Sequence, residues 1–176
     1  MGPIEAIIVE NASPAVDSRL EWTIGLEPAL SIGTPEGDEA YQLFGVRDAA
    51  VLPSGRVAVA NRGTGEIRIF EADGTHVVSM GGVGDGPGEY RALEDIEPWV
   101  GDSIIGWDPR QQRISVFDAD GEHGRTVRVR VFDDSFSPEL LGMSPDGRML
   151  IRAGFPQRSD TPFRGMFRTD QAYGLV

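Results

Sequence analysis

The chain has 176 residues and a formal net charge of −12, and all of its sixteen basic residues are arginine. This length allows one domain with a substantial core. Cysteine is absent, which excludes disulfides, thiol catalysis and thiolate-bound metal. Only two histidines occur, so one chain cannot build a three-histidine metal site. The acidic balance argues against nucleic acid and anionic lipid as partners, because both need a basic surface.

The N-terminal part of the chain carries short strand candidates and no membrane signal. They lie at residues 4–9, 20–24 and 29–32, and a polar loop follows at 34–39. The longest apolar run near the start is far too short to span a bilayer. No charged segment followed by an apolar stretch occurs, so the sequence predicts no secretory signal and no membrane insertion by this segment.

The central part of the chain is a repeat with a period of 47 residues. Asp48 matches Asp95, and further matches follow in the same register without a gap. They are Asn61 with Asp108, Ile67 with Ile114, Ile69 with Val116, Phe70 with Phe117, residues 72–74 with 119–121, and His76 with His123. A third, partial copy starts at Ser144 to Met149, which resembles Leu52 to Val57. A fixed period of this size is typical of repeat architectures.

Each repeat contains short segments rich in β-branched residues and separated by turn signals. The segments are 49–52, 57–60, 67–70 and 76–80 in the first copy, 96–99, 103–107, 113–117 and 126–131 in the second, and 140–143, 149–153 and 166–169 in the third, before a turn at 170–174. Four antiparallel strands, a to d, in about 40–50 residues are typical of a propeller blade. The sequence therefore predicts an all-β fold, a β-propeller with three to four blades; a β-sandwich is the alternative.

The alternating strand directions sort the connections onto two faces. The tight a–b and c–d turns lie on one, the short-turn face. The longer b–c and d–a loops, at 61–65, 81–91 and 108–112, lie on the other, the long-loop face. Binding residues tend to lie on longer loops that a rigid scaffold holds. The long-loop face is therefore the candidate functional face.

The segment Gly84 to Tyr90 carries a family resemblance. It reads Gly-Asp-Gly-Pro-Gly-Glu-Tyr and resembles the Gly-x-Gly-Pro-Gly-Glu-aromatic linker of bacterial six-bladed β-propellers related to the NHL-repeat family. Ile67 to Gly74 resembles strand c and the following turn of that group. Members are longer than this chain and are exported or lipid-anchored. The resemblance thus implies a fragment of a six-bladed propeller, a periplasmic or extracellular location, and an outer strand of the last blade at residues 26–33.

The predicted propeller domain divides into four parts. Residues 1–33 form the N-terminal segment with the outer strand, 34–91 the first full blade with its linkers, 92–134 the second blade, and 135–176 a third, incomplete blade. An incomplete ring leaves bare sheet edges, which would favour self-association of two arcs.

The glycine-rich stretch from Gly81 to Tyr90 is not a nucleotide-binding loop. It lacks the Gly-x-Gly-x-x-Gly spacing of a dinucleotide site and the lysine of a P-loop. We expect its glycines to let the chain cross from the outer strand of one blade to the inner strand of the next. We also expect Glu89 to accept backbone N–H bonds and Tyr90 to pack between blades.

Two sets of polar residues on the long-loop face are candidates for binding. Asp48 and Asp95 begin successive inner strands and could hold a divalent cation, which prefers carboxylate oxygens; alternatively each caps backbone amides. We expect Asn61 and Asp108 to bond their own turns, as Asn and Asp commonly do. The candidate ligand-binding residues are Asn61, Arg62, Asp85, Glu89, Arg91, Asp108 and Arg110.

The sequence shows no Ser-His-Asp set and no His-Glu metal motif, and both histidines fall on outer strands, far from the channel. The leading hypothesis is a non-catalytic scaffold that binds a protein or small-molecule ligand in the bacterial cell envelope and needs no cofactor. The alternative is a metal-dependent lactonase- or lyase-like enzyme with its site at the channel mouth.

Overall fold

The computed structural model describes residues 25–129, 139–144, 147–153 and 172–175. The strand candidates at 4–9, 20–24 and 166–169 lie outside these residues. Within them, 3-10 turns at Glu39–Tyr41 and Val100–Asp102 are the only helical segments. Neither is long or apolar enough to cross a membrane.

The chain forms three antiparallel sheets that follow one another in sequence. The first has the order β1-β2-β3-β4, with strands Val46–Val51, Val57–Asn61, Glu66–Phe70 and His76–Gly81. The second has the order β5-β6-β7-β8, with strands Asp95–Pro98, Ile104–Asp108, Arg113–Phe117 and His123–Arg128. The third has the order β11-β10-β9, in which β9 is Glu139–Met143, β10 is Met149–Ala153 and β11 is Ala172–Leu175. The predicted all-β architecture of antiparallel four-stranded blades is confirmed.

Some predicted boundaries differ from the structure. The turn predicted at 170–174 is wrong, because Ala172–Leu175 is a strand that pairs with β10. β8 begins at His123, three residues before its predicted start. Residues 26–33 form no strand, and Leu30 instead reaches the c–d turn, where its Cδ1 lies 3.2 Å from an ideal Cβ on Gly74. A role for this segment in another blade stays a prediction.

The first two sheets pack face to face because the facing side of each sheet is apolar. Ala58 and Ala60 of β2 and Ile67 and Ile69 of β3 are buried against the second sheet and its linker. They meet Met80, Tyr90, Leu93, Ile96, Ile104 and Phe117. Burying a side chain of this size contributes about 1.5–3 kcal/mol, so this interface is a main source of stability.

The second sheet is buried on both faces. Ile104 belongs to the core shared with the first sheet. Ile105 and Trp107, on the opposite side of the same strand, belong to the core shared with the third sheet. The same second core includes Ile114 of β7 and Ile151 of β10. A strand buried on both faces needs apolar residues at successive positions, which explains the unbroken Ile104-Ile105-Gly106-Trp107 run.

Comparing equivalent residues of the two repeats shows which residues are exposed because no neighbouring sheet covers their blade. Val46 occupies the position of Leu93 one period later. Leu93 is 0% exposed between two sheets, whereas Val46 is 47% exposed. Within the described residues no sheet covers that side of β1, so the exposure of Val46 reflects the position of its blade.

Gly106 offers a test of this packing. An ideal Cβ there would lie 2.2 Å from Tyr90 Oη and 3.0 Å from Ile67 Cδ1. We expect Gly106→Ala to lower the free energy of unfolding by about 1–3 kcal/mol, the usual cost of overpacking a core. Gly124→Ala is the matched control, because its Cβ would meet only Val116 O, at 3.5 Å on an exposed strand. Equal denaturant midpoints for the two variants would contradict the described packing.

Candidate functional site

Each of the first two blades holds the linker that precedes it with one arginine of strand c. Arg113 of β7 donates to the carbonyl oxygens of Asp85 at 3.0 Å, Gly86 at 2.8 Å and Glu89. All three acceptors lie in the glycine-rich linker before β5. We call this contact the linker clamp. A guanidinium suits it, because its donors are fixed in one plane and always charged.

The same clamp exists one period earlier. Arg68 of β3 uses Nη1 to donate to the carbonyl oxygens of Glu39 at 2.5 Å, Ala40 at 3.1 Å and Gln42 at 2.9 Å. These residues form the linker before β1. The Arg68 side chain is almost fully buried and also pairs with Glu66 Oε2 at 2.8 Å, which compensates its charge.

A second contact, the turn latch, ties each linker to the b–c turn. Asn61 Oδ1 accepts the backbone N–H of Phe44 at 2.6 Å. One period later, Asp108 Oδ2 accepts the N–H of Arg91 at 2.6 Å and of Ala92 at 3.0 Å. Asn61 and Asp108 are both 0% exposed. They are therefore structural anchors and do not offer their side chains to solvent.

The latch residues also bond their own turns, as predicted. Asp108 Oδ1 accepts the N–H groups of Arg110 at 2.9 Å and Gln111 at 3.0 Å. Asn61 Nδ2 donates to Thr64 Oγ1 at 2.8 Å. Asp108 thus accepts four backbone N–H bonds, which is why a buried carboxylate is tolerated there.

The glycine-rich linker matches its expected structural role. Glu89 Oε2 accepts the N–H of Gly86 at 2.7 Å, and Tyr90 is buried between the first two sheets. Gly88 lies on the second blade, where its Cβ would approach Phe117 Cζ to 3.2 Å. The two expectations about Glu89 and Tyr90 are confirmed.

The latch leaves one side chain per linker pointing to the long-loop face. Phe44 is 54% exposed, and Arg91, its equivalent in the repeat, has a side chain 61% exposed. Arg91 remains exposed although its blade is packed on both sides. Exposure at this position is therefore a property of the face. We call Phe44 and Arg91 the presented residues.

Polar side chains surround Arg91. Its Nε and Nη2 bond Asp85 Oδ1 at 2.5 Å and Oδ2 at 2.7 Å. Gln111 Nε2 donates to the same carboxylate at 2.8 Å and to Gly84 O at 2.9 Å. The hydrogen bond from Arg91 is the main reason that the pKa of Asp85 lies below its ordinary value. Both charged groups are exposed, so the pair adds little stability.

A second charged group lies where the inner strands begin. Glu94 bonds Arg47 of β1 at 2.6 Å through Oε2 and Arg62 of the b–c turn at 2.6 Å through Oε1. Arg62 is thus connected to the second blade, while no hydrogen bond or ion pair joins it to Asp85 or Arg110 among the described residues.

Asp48 and Asp95 differ in their surroundings. Asp48 Oδ2 accepts the N–H of Ile96 at 3.0 Å and its Oδ1 that of Ala49 at 2.8 Å, so Asp48 does cap backbone amides. Asp95 is half-buried. Burial raises the pKa of Asp95 to about 6, and the negative charges of Asp48 and of other nearby carboxylates add to the effect. Over the described part of the chain, no three His, Asp or Glu side chains are grouped to hold a metal ion.

The two histidines play equivalent structural roles on the outer strands β4 and β8. His76 Nε2 bonds Ser79 Oγ at 2.9 Å and its ring lies edge-on to Phe70 at 5.5 Å. His123 repeats both contacts with Thr126 and Phe117 at the same distances. Both side chains therefore stabilise the c–d hairpin at a distance from the inner strands.

Sequence reasoning missed three of the residues that organise this face, namely Phe44, Arg68 and Arg113. One signal was available: Gly37-Asp38 and Gly84-Asp85 are identical and 47 residues apart. The repeat therefore includes the linker, and the polar loop at 34–39 is its first copy.

The turn latch can be tested at Asp108. We expect Asp108→Ala to lower the free energy of unfolding by about 2–4 kcal/mol, because several buried N–H groups lose their acceptor. Asp108→Asn, which imitates Asn61, should cost less. Asp85→Ala is the control, since an exposed ion pair is worth at most about 1 kcal/mol. Similar urea midpoints for Asp85→Ala and Asp108→Ala would contradict this role.

The raised pKa of Asp95 predicts that the stability of the folded chain depends on pH. This pKa is raised from the ordinary 3.8 to about 6 in the folded chain, so the folded state binds the proton more tightly than the unfolded chain does. The resulting stabilisation is complete below the lower pKa and is lost as the pH rises through the higher one. We expect the melting temperature to fall between about pH 4 and 7 by more in the wild type than in Asp95→Asn. Parallel pH profiles would contradict this.

Three solved structures are similar to part of this chain. An exported protein of Bacteroides fragilis superposes with a TM-score of 0.53 at 18% identity, over 75% of this chain and 36% of that protein. A streptogramin B lyase gives 0.46 at 16% identity, over 60% and 33%. A protein of unknown function from Bacteroides caccae gives 0.43 at 16% identity, over 62% and 38%. The chain therefore spans about a third of the length of these structures.

The sequence itself matches one family. No curated protein is similar to the chain. A family described as a 6-bladed beta-propeller matches residues 48–140, just over half of the chain. The match starts at Asp48 on the first inner strand, includes the whole second sheet and ends on β9, so it covers the repeat that builds the blades. The chain belongs to this family of six-bladed β-propellers.

Proposed function

We propose that this chain contributes the binding surface of a non-catalytic propeller, and that its long-loop face contacts a protein or small-molecule ligand. The observation that carries the proposal is the presentation of Phe44 and Arg91 at equivalent, exposed positions of successive blades. The latch bonds only the backbone of each residue, so neither side chain takes part in the latch.

The chemistry of the presented residues supports recognition. Aromatic and arginine side chains are the types that contribute most at protein interfaces. The backbone around Phe44 is fixed by two hydrogen bonds, from its N–H to Asn61 and from Gly63 N–H to its carbonyl at 2.8 Å. A backbone that is already fixed has less conformational entropy to lose when the residue binds.

We propose a smaller set of contact residues than the sequence predicted. Asn61, Asp108 and Glu89 are used to hold turns and linkers, so we assign them a supporting role. The proposed contact surface consists of exposed or half-exposed side chains: Phe44, Arg62, Asp85, Arg91 and Arg110.

The proposed location is the cell envelope, in the periplasm or outside the cell. The support is the family resemblance of the linker and the similarity in fold to an exported Bacteroides fragilis protein. Detection of the full-length protein only in the cytosol after cell fractionation would contradict it.

A second candidate function is an enzyme with its site at the channel mouth, of the lactonase or lyase type. The specific observation is Asp95, a half-buried carboxylic acid with a pKa near 6 beside Asp48. A group that titrates near neutral pH suits general acid–base catalysis. A metal-dependent reaction would need ligands besides these two carboxylates.

The two functions can be separated with one set of variants. We expect a panel of displayed peptides, glycans and small carboxylic acids to yield ligands whose affinity falls at least about ten-fold in Phe44→Ser/Arg91→Ser. Val100→Ser/Asp120→Ser on the short-turn face is the matched control and should bind normally. Loss of binding in the control alone would refute the proposed surface. Turnover of a lactone or another panel substrate that disappears in Asp95→Asn would establish the enzyme instead.

A further inference from the structure

Three buried polar atoms beneath the glycine-rich linker have no hydrogen-bond partner within the described residues. They are Tyr90 Oη, Gln111 Oε1 and Arg113 Nε. All three side chains belong to the linker or to the turn and strand that clamp it. A buried polar atom without a partner costs about 1–3 kcal/mol, so three in one region need an explanation.

Their neighbours hold these side chains in place. Both terminal nitrogens of Arg113 are bonded to linker carbonyls, and Gln111 Nε2 is bonded to Gly84 O and Asp85 Oδ1. Tyr90 Oη stands over Gly106, 2.2 Å from an ideal Cβ. None of the three side chains can turn to a new partner without losing a contact that holds the linker.

The Ser115 hydroxyl does not satisfy Tyr90. Ser115 Oγ lies close enough to act on the pKa of Tyr90 in the lowering direction, although burial dominates and raises that pKa. No hydrogen bond of normal geometry joins the two groups, and Ser115 Oγ is bonded to Thr126 Oγ1 at 3.1 Å.

We propose that ordered water binds between the linker and β7, bonded to Tyr90, Gln111 and Arg113. The donor and acceptor types fit water: Arg113 Nε–H can only donate, Gln111 Oε1 can only accept, and the Tyr90 hydroxyl can do both. A buried water commonly makes about three such bonds. A cation is disfavoured by the Arg113 guanidinium, and an anion by Gln111 Oε1 and by Asp108, whose charge also acts on Tyr90.

The bound water gives the clamp a second layer. The guanidinium holds the linker carbonyls directly, and water joins the inner side of the same guanidinium to the residue that ends the linker. Tyr90 then has a polar anchor as well as an apolar contact surface, as buried tyrosines usually do.

A high-resolution crystal structure of the chain tests the site directly. We expect water oxygens within about 3.2 Å of Tyr90 Oη and Arg113 Nε, and loss or displacement of the water at residue 90 in Tyr90→Phe. A wild-type structure in which either atom has no water oxygen within that distance would overturn the proposal.

Unfolding of the same variant gives an independent measurement. If water bonds the hydroxyl, Tyr90→Phe raises the equilibrium constant for unfolding about five-fold. Tyr41→Phe is the matched control, because Tyr41 Oη accepts the N–H of His76 at 3.0 Å, and it should show a similar loss. A Tyr90→Phe protein as stable as the wild type, or more stable, would mean an unpartnered hydroxyl and would overturn the proposal.

Discussion

The bond between one arginine and the carbonyl oxygens of the preceding linker is the constraint on which this structure depends. A linker that crosses from an outer strand to the next inner strand makes only a few backbone hydrogen bonds of its own, such as Tyr90 N–H to Gly82 O, so some of its carbonyls need other donors. Arg68 and Arg113 supply the donors, and charged donors make stronger bonds than neutral ones. With the linker fixed, the inner strand begins at a defined place. The turn latch then determines which side chain faces solvent.

Much of the fold could be predicted from the sequence because strand pairing and turns are local signals. The 47-residue register placed most strands to within a few residues, since β-branched runs and Asp-Gly turns mark them directly. The strand at Ala172–Leu175 was missed because its Ala-Tyr-Gly-Leu sequence, which contains a glycine, resembles a turn more than a strand. The roles of Glu89 and Tyr90 were predicted correctly, because a glycine-rich crossing needs both a backbone acceptor and an apolar anchor.

The candidate site could be predicted only in part. Sequence reasoning placed Arg62, Arg91 and Arg110 on the correct face but could not distinguish residues that hold the loops from residues that are displayed. Asn61 and Asp108 were expected to bond their own turns but were also counted among the candidate ligand contacts, and only their burial shows that their side chains do not face solvent. The role of Arg68 and Arg113 was not predicted because the two arginines occupy different positions of the repeat. Arg113 corresponds to Glu66, and Arg68 corresponds to Ser115. The two sites lie two residues apart on one strand face, so either can reach the linker.

The clamp joins each linker to the blade that follows it, and this determines which segment of the chain could be duplicated as one unit. Each arginine holds the linker that comes before its own blade, so a blade and its incoming linker share one set of contacts. The segment that contains a complete clamp is therefore 38–81 or 85–128, and not the four strands between one linker and the next. A duplication or exchange cut at the start of an inner strand would separate a guanidinium from its acceptors. A cut after the outer strand would transfer both together, which makes the end of strand d the natural junction for recombining blades.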